Sequence, residues 1–162
     1  MQGRILALDY GRKRVGIALT DPLRVIATPQ GFLPRKLAQD PSAEALIEKI
    51  LELCEQEGVS EIVIGEPRRT DGRPNELLQE VHSFGAALAA KTTLPIHYFD
   101  EKYTTVIASR TFSRGEKGPA KRNEIDGRAA AILLSDYLRH CAIIGETVRE
   151  ADSKESEARY ND

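Results

Sequence analysis

The stretch of sequence that decides the fold is RILALDYGRKRVGIALT, residues 4–20. Two apolar runs flank its polar centre at residues 10–13, the first from Arg4 to Leu8 and the second from Val15 to Thr20. Short apolar runs bounded by Gly and charged residues are typical of buried strands joined by a turn. We therefore predict that the chain opens with a β-hairpin.

The rest of the chain alternates between strand and helix patterns. Further strands are predicted over residues 25–32, 61–65 and 95–99. Helices are predicted from the Asp40-Pro41-Ser42 start to Gly58, along the face of Leu77, Val81, Phe84 and Leu88, from Thr104 or Thr105 to about Phe112, and from Ile125 to about His140. Helices between strands favour parallel pairing through right-handed crossovers. The predicted fold class is α/β, with a mixed five-stranded sheet (an antiparallel meander plus two parallel strands) and helices on both faces.

Length and composition are those of a single globular domain. The chain has 162 residues, 41% of them hydrophobic, which suffices for one core without disulfides or a structural metal. The longest apolar run covers only residues 129–134, and the first residues lack a secretory signal pattern, so we expect a soluble, cytoplasmic protein with no membrane span. Cys54 and Cys141 lie far apart in apolar sequence, without zinc or disulfide spacing, and are interpreted as core or incidental residues.

Charge is distributed unevenly along the chain. Residues 146–162 contain six acids and three bases, and we interpret them as an acidic, mobile C-terminal tail. Residues 1–145, the predicted domain, carry 20 bases and 19 acids and are therefore mildly basic. This balance argues against a histone-like protein coated in positive charge, so the positions of the bases matter more than their sum.

Acidic residues follow the predicted strands at the end where α/β proteins gather functional groups. Asp9 follows the first strand, Glu66 the fourth, and Asp100 and Glu101 the fifth, while Asp126 opens the last helix. If the first, fourth and fifth strands are parallel neighbours, these acids converge at one edge of the sheet. Converging carboxylates repel one another and need divalent cations such as Mg²⁺ between them. A pair of such ions suits phosphodiester hydrolysis. Each acid alone also fits a turn or a helix cap, so the prediction depends on their convergence.

Basic residues cluster in segments that adjoin this acidic edge. Thirteen of the 23 Lys and Arg residues lie in segments 12–14, 68–73, 102 and 110–128. Those predicted to bind nucleic-acid phosphates are Arg12, Lys13, Arg14, Arg68, Arg69, Lys102, Lys121 and Arg122. A solvated charged surface is the alternative for any one of them. His82, His97 and His140 have no metal-ligand spacing and are interpreted as structural.

Four motifs follow one another within residues 4–140. They are Leu8-Asp9-Tyr10-Gly11 with the residues up to Ala18, Ile64-Gly65-Glu66-Pro67, Asp100 to Thr105, and Asp126 with Ala129-Ala130. Together they resemble the YqgF/RuvX family of RNase H-like nucleases. The resemblance implies an RNase H-like fold, with Asp9, Glu101 and Asp126 as catalytic acids that bind Mg²⁺ or Mn²⁺, as a pair of ions. Glu66 and Lys102 depart from the family pattern, so Glu66 is either a fourth metal-site acid or a surface substitution.

Members of that family are described either as nucleases that mature the 5′ end of pre-16S rRNA or as Holliday junction resolvases. The resemblance therefore implies a metal-dependent endonuclease acting on structured RNA, with a resolvase of branched DNA as the alternative. A resolvase makes two symmetric cuts and needs a homodimer. A non-catalytic nucleic-acid-binding module is a further alternative. An actin-like ATPase, which shares the Asp-x-Gly turn, needs a second lobe that 162 residues cannot hold.

Overall fold

The computed structural model describes residues 2–67, 75–100 and 127–145. The elements follow the chain as β1 (Arg4–Tyr10), β2 (Arg14–Thr20), β3 (Ala27–Pro34), α1 (Glu44–Glu57), β4 (Val59–Glu66), α2 (Glu76–Ala89) and β5 (Ile96–Asp100). Residues 127–145 are helical and are called the C-terminal helix segment below. The predicted hairpin, third strand and two helix-strand units are all present, with boundaries that differ by a few residues.

The five strands form one sheet in the order β3-β2-β1-β4-β5. The central strand β1 runs antiparallel to β2 and parallel to β4. At the two sides, β3 pairs antiparallel with β2, and β5 pairs parallel with β4. The predicted mixed sheet is thus confirmed, and β1, β4 and β5 end together at one side of the sheet, called the carboxyl edge below.

Helices cover both faces of the sheet. Leu8 and Ile64 pack with residues of α1 and α2 in one buried cluster. Ala7 and Val63 pack with residues of the C-terminal helix segment in the other. Because side chains alternate between faces along a strand, the parity of a residue in β1 or in the second half of β4 decides which helices it faces.

Helix α1 lies between a local cap and the predicted stop at Gly58. The Asp40 carboxylate accepts a hydrogen bond from the backbone N–H of Leu46 at 3.2 Å. Asp40, part of the predicted helix start, thus lies before the first residue of α1 and bonds to its first turn. At the other end, Gly58 adopts a left-handed φ of 65°, and its N–H bonds carbonyls of the last turn. A Cβ at Gly58 would meet no atom of the described ranges within 4 Å, so among these residues backbone conformation is what restricts the position.

We expect Gly58→Ala to lower the free energy of unfolding by about 1 kcal/mol, because a Cβ is unfavourable in the left-handed region. Gly58→Asn should lose less, since Asn tolerates that region better than Ala does. Urea denaturation of both variants measures the difference. Equal losses would show that the backbone conformation is not the cause.

Helix α2 begins after Asn75, whose side chain makes two hydrogen bonds. Its Oδ1 accepts from the backbone N–H of Leu78 at 3.3 Å, which caps the helix. Its Nδ2 donates to the carbonyl of Pro67, just past β4, at 3.1 Å. Segment 68–74 lies outside the described residues, but the two residues that flank it are thus joined next to the carboxyl edge.

Several predictions outside the sheet have different outcomes. The C-terminal helix segment extends to residue 145, past the predicted end at His140. Cys54 is buried in the core, which raises its pKa to about 11, whereas Cys141 is exposed and does not belong to the core. The predicted helix at 104–112 and the tail 146–162 lie outside the described residues. Within the described ranges, no helix has both the length and the apolar character needed to cross a membrane.

Candidate active site

Asp9 lies at the carboxyl edge, near the end of the central strand. It pairs with Gly16 of β2. On its other side, β1 pairs with β4 through Leu8 and Ile64, so that Gly65 is the next residue of β4 beside it. Asp9 follows Ala7 by two residues in β1, so its side chain lies on the same face of the sheet, which the C-terminal helix segment covers. Neither glycine places a side chain beside the Asp9 carboxylate.

The environment of the Asp9 carboxylate suits a cation ligand. The residue is half-buried, and among the residues that the structure describes no hydrogen bond or ion pair engages its carboxylate. A half-buried carboxylate without a partner is costly, and a bound cation offsets that cost. Carboxylate oxygens are the ligands that hard divalent cations prefer, so Asp9 fits one ligand position of a Mg²⁺ or Mn²⁺ site.

The other two predicted catalytic acids, Glu101 and Asp126, lie outside the described residues, and their roles stay predictions. Within residues 2–67, 75–100 and 127–145, no group of three His, Cys, Asp or Glu side chains is placed to hold a metal.

Gly127, the residue after Asp126, is buried against β3. A Cβ at Gly127 would lie 2.8 Å from the backbone nitrogen of Gly31 and 2.9 Å from Cβ of Pro29, both closer than real Cβ contacts. Glycine is therefore required for the C-terminal helix segment to approach β3 this closely. The segment covers the same face of the sheet on which Asp9 lies, so this contact fixes the start of the described helix segment on that face.

The turn at residues 11–13 between β1 and β2, called the basic turn, carries two of the predicted phosphate-binding residues, and a third begins β2. Arg12, Lys13 and Arg14 are all exposed. The Arg14 guanidinium lies over the ring of Phe32, 5.4 Å from its centroid. The backbone N–H of Gly11 donates to the carbonyl of Arg14 at 2.9 Å and closes the turn. The turn thus presents positive charge at the carboxyl edge.

The remaining predicted phosphate-binding residues lie outside the described part of the chain: Arg68, Arg69, Lys102, Lys121 and Arg122. Arg68 and Arg69 belong to the segment whose flanking residues Pro67 and Asn75 are hydrogen-bonded. That bond holds the two ends of the segment beside β4. The contacts of all five basic residues with nucleic acid stay predictions.

Glu66 lies at the same edge as Asp9 but on the opposite face of the sheet. Its Oε2 is 2.9 Å from Nε2 of His82 in α2. It pairs with Asp100, the last residue of β5. The structure therefore does not bring Glu66 to Asp9, and of its two interpretations the fourth metal-site acid is not supported. His82, interpreted as structural, makes the contact that holds Glu66 against α2.

A polar cluster at the amino end of β4 has a structural role. Arg24 donates to the Glu61 carboxylate at 3.0 Å, to Ser60 Oγ at 2.9 Å and to the Gly3 carbonyl at 2.8 Å. The Tyr137 hydroxyl donates to Glu61 at 2.6 Å. Burial, together with this bond, raises the pKa of Tyr137, so the hydroxyl stays a neutral donor. The cluster ties the β2–β3 turn, β4 and the C-terminal helix segment together, far from the carboxyl edge.

A family model described as RuvX: Holliday junction resolvase matches residues 3–140. The chain belongs to this family. Two relatives named "Putative pre-16S rRNA nuclease" are similar over most of both chains. The Moorella thermoacetica protein is 38% identical over 139 residues, which cover 83% of this chain and 94% of the relative. The Porphyromonas gingivalis protein is 37% identical over 140 residues, which cover 84% and 96%.

Two of the solved structures similar to this RuvX-family chain have TM-scores above 0.5 and cover most of it. Thermus thermophilus RuvC, in complex with a Holliday junction substrate, has a TM-score of 0.55 at 17% identity and covers 86% of this chain and 96% of its own. The yeast mitochondrial Holliday junction resolvase Ydc2 has a TM-score of 0.51 at 14% identity and covers 85% and 78%. At such identities the likeness shows the fold alone, and it confirms the expected RNase H-like architecture.

Membership of the RuvX family also confirms the predicted class of enzyme, a nuclease that hydrolyses phosphodiester bonds.

Sequence reasoning missed two residues at the site. Gly16 gave a signal, since a glycine inside a predicted buried strand indicates a close approach. Arg35, described below, gave none, because its contacts join parts of the chain that only the fold brings together.

Proposed function

We propose that this RuvX-family chain is a metal-dependent endonuclease that processes the 5′ end of pre-16S rRNA in the cytoplasm. The observation that carries the proposal is the half-buried Asp9 carboxylate, which stands between two strand glycines at the carboxyl edge and has no partner among the described residues. The names of the relatives support an RNA substrate. The exposed basic turn beside Asp9 supports a polyanion.

In this proposal, Asp9, Glu101 and Asp126 hold the cations, which are Mg²⁺ or Mn²⁺. Cations held by these residues would supply Lewis acidity for the attacking water and for the leaving oxygen. The chain's own groups supply the ligand oxygens and orient the substrate, because Arg12 and Lys13 bind phosphates that flank the cleaved bond. The further proposed phosphate contacts are Arg14, Arg68, Arg69, Lys102, Lys121 and Arg122.

Cleavage of Holliday junctions is the second candidate function. The description of the family model and the fold shared with RuvC favour it. It uses the same acids and cations, but two symmetric cuts require two copies of the site, so this alternative includes a homodimer.

A comparison of two substrates tests the proposal. The wild-type chain is incubated with a pre-16S rRNA leader fragment or a synthetic four-way DNA junction, each with Mg²⁺, Mn²⁺ or EDTA. We expect metal-dependent cleavage of the RNA and none with EDTA. Paired symmetric cuts in the junction alone would favour the resolvase. Binding of either substrate without cleavage would instead indicate a non-catalytic module.

The double variant Arg12→Ala/Lys13→Ala should bind nucleic acid more weakly and with a shallower salt dependence. Each phosphate contact that is lost reduces the slope of log affinity against log salt by about 1, so we expect a reduction of about 2. Titration at several salt concentrations measures the slope. Lys49→Ala/Lys91→Ala removes the same charge from exposed positions in α1 and after α2, and an equal change there would contradict a specific role for the turn.

A further inference from the structure

Arg35 follows β3 directly, and its side chain is almost completely buried although the residue as a whole is half-buried. Its side chain is 6% exposed, and its NH2 group, Nη2, donates to Glu80 of α2 at 3.2 Å. Its guanidinium lies 4.2 Å from the centroid of the Tyr10 ring. Burying a guanidinium is costly unless its donors are satisfied, so the position of this group is set tightly by its partners.

The remaining contacts of Arg35 are with the basic turn. Its Nη1 donates to the carbonyl of Gly11 at 2.7 Å. Its backbone N–H donates to the carbonyl of Lys13 at 2.8 Å. One residue therefore holds both sides of the turn, while Glu80 and the Tyr10 ring hold the guanidinium in place.

The geometry of the turn leaves little freedom for it to move by itself. A Cβ at Gly11 would lie 2.8 Å from the carbonyl oxygen of Arg14, so the backbone is closely folded there. Asp9 lies two residues before Gly11 in the same strand and turn. If the Gly11 carbonyl moves, the end of β1 and the exposed bases Arg12 and Lys13 therefore move with it.

We infer that Arg35 is a positioning residue for the nuclease site, acting through the Gly11 and Lys13 carbonyls to fix the turn that joins the Asp9 carboxylate to the bases that bind phosphate. This inference rests on the proposed nuclease function. Arg35 itself faces α2, across the sheet from the Asp9 carboxylate, and touches neither substrate nor cation. Its effect is on the relative placement of a metal ligand and two phosphate contacts.

Arg24 provides a matched control for this role. It too bridges a backbone carbonyl and a carboxylate, those of Gly3 and Glu61, but at the amino end of β4. Arg24→Lys and Arg35→Lys each replace a forked group with several donors by a single ammonium. Both should lower the urea midpoint of unfolding, and only Arg35→Lys should affect the reaction.

The experiment compares kcat, KM and backbone amide exchange in Arg35→Lys, Arg35→Ala and Arg24→Lys under conditions where each variant is folded. We expect kcat to fall about 10- to 100-fold in Arg35→Lys and further in Arg35→Ala, as for groups that orient a metal ligand. KM should rise in Arg35→Lys, because the phosphate contacts of Arg12 and Lys13 are also displaced, but by less than kcat falls, and amide exchange at residues 11–13 should accelerate. Arg24→Lys should keep the wild-type kcat and the wild-type exchange in the turn.

Equal kcat values in Arg35→Lys and Arg24→Lys, with an active wild type, would overturn the positioning role and leave the nuclease proposal standing. A loss of kcat without faster exchange at residues 11–13 would also overturn it, because the turn would then not be the route. A folded wild type that cleaves neither RNA nor junction with either cation would overturn the proposed function, and with it the positioning role.

Discussion

Asp9→Asn should reduce cleavage by about 1,000-fold or more, equivalent to about 4 kcal/mol of transition-state stabilisation. The amide keeps the size of the side chain but removes the charge and one ligand oxygen for a divalent cation. Folding should be unaffected, because the carboxylate has no partner among the described residues that the substitution would break. Cleavage is measured at saturating Mg²⁺ and Mn²⁺, and nucleic-acid affinity is measured in EDTA, where it should be retained.

Glu66→Gln is the matched control for this substitution. It makes the same chemical change at the same edge of the sheet, but on the face of α2, where the side chain contacts His82. We expect its cleavage rate to stay within about threefold of wild type, since removal of a charge that is not a ligand has little effect. Equal losses of cleavage rate in the two variants would mean that the total negative charge at the carboxyl edge matters, and that Asp9 does not act as a specific cation ligand.

Gly127→Ala should lower activity by about 100-fold while the chain still folds. The new methyl group would be placed against the Gly31 nitrogen and the Pro29 side chain, neither of which can rotate away. The start of the C-terminal helix segment must then shift, and a displacement of about 1 Å in a positioned group can cost about 100-fold in rate. Overpacking should lower the free energy of unfolding by about 1–3 kcal/mol. Steady-state kinetics and urea denaturation measure the two effects.

Gly145→Ala makes the same substitution at the other end of that helix segment. Among the described residues, a Cβ at Gly145 would meet no atom within 4 Å. We expect unchanged activity and a stability equal to wild type or higher by up to about 1 kcal/mol, because Ala favours helix over Gly. If Gly127→Ala proved as active as Gly145→Ala, the close approach of Gly127 to β3 would not be needed for activity.

The order of strands and helices could be predicted because each element carries its own local signal. The polar turn after β1, the glycine after α1 and the helical spacing from Leu77 to Leu88 each depend on neighbouring residues only. The carboxyl edge and the position of Asp9 then follow from general rules on parallel strands. The family resemblance supplied the choice of catalytic acids, which spacing alone left open.

Other features of the site depend on contacts between distant parts of the chain and had no local signal. Glu66 and Asp9 both follow apolar runs, and only the register of β4 against β1 shows that they lie on opposite faces. The buried position of Arg35 requires β3 and α2 to meet beside Tyr10. The need for glycine at Gly127 arises from its contact with β3, at the place where the register of β3 against β2 shifts between Gly16 and Ala18.

Because side chains alternate between the two faces of β4, the number of residues in this strand decides which charges lie on the same face as Asp9. Glu66 follows Gly65 by one position, and this parity alone keeps its carboxylate against His82. Deletion of the single residue Gly65 would place that carboxylate next to Asp9, adding a negative charge with no acid introduced into the sequence. The number of residues in β4 therefore determines how strongly the carboxyl edge attracts cations, just as the composition of β4 does.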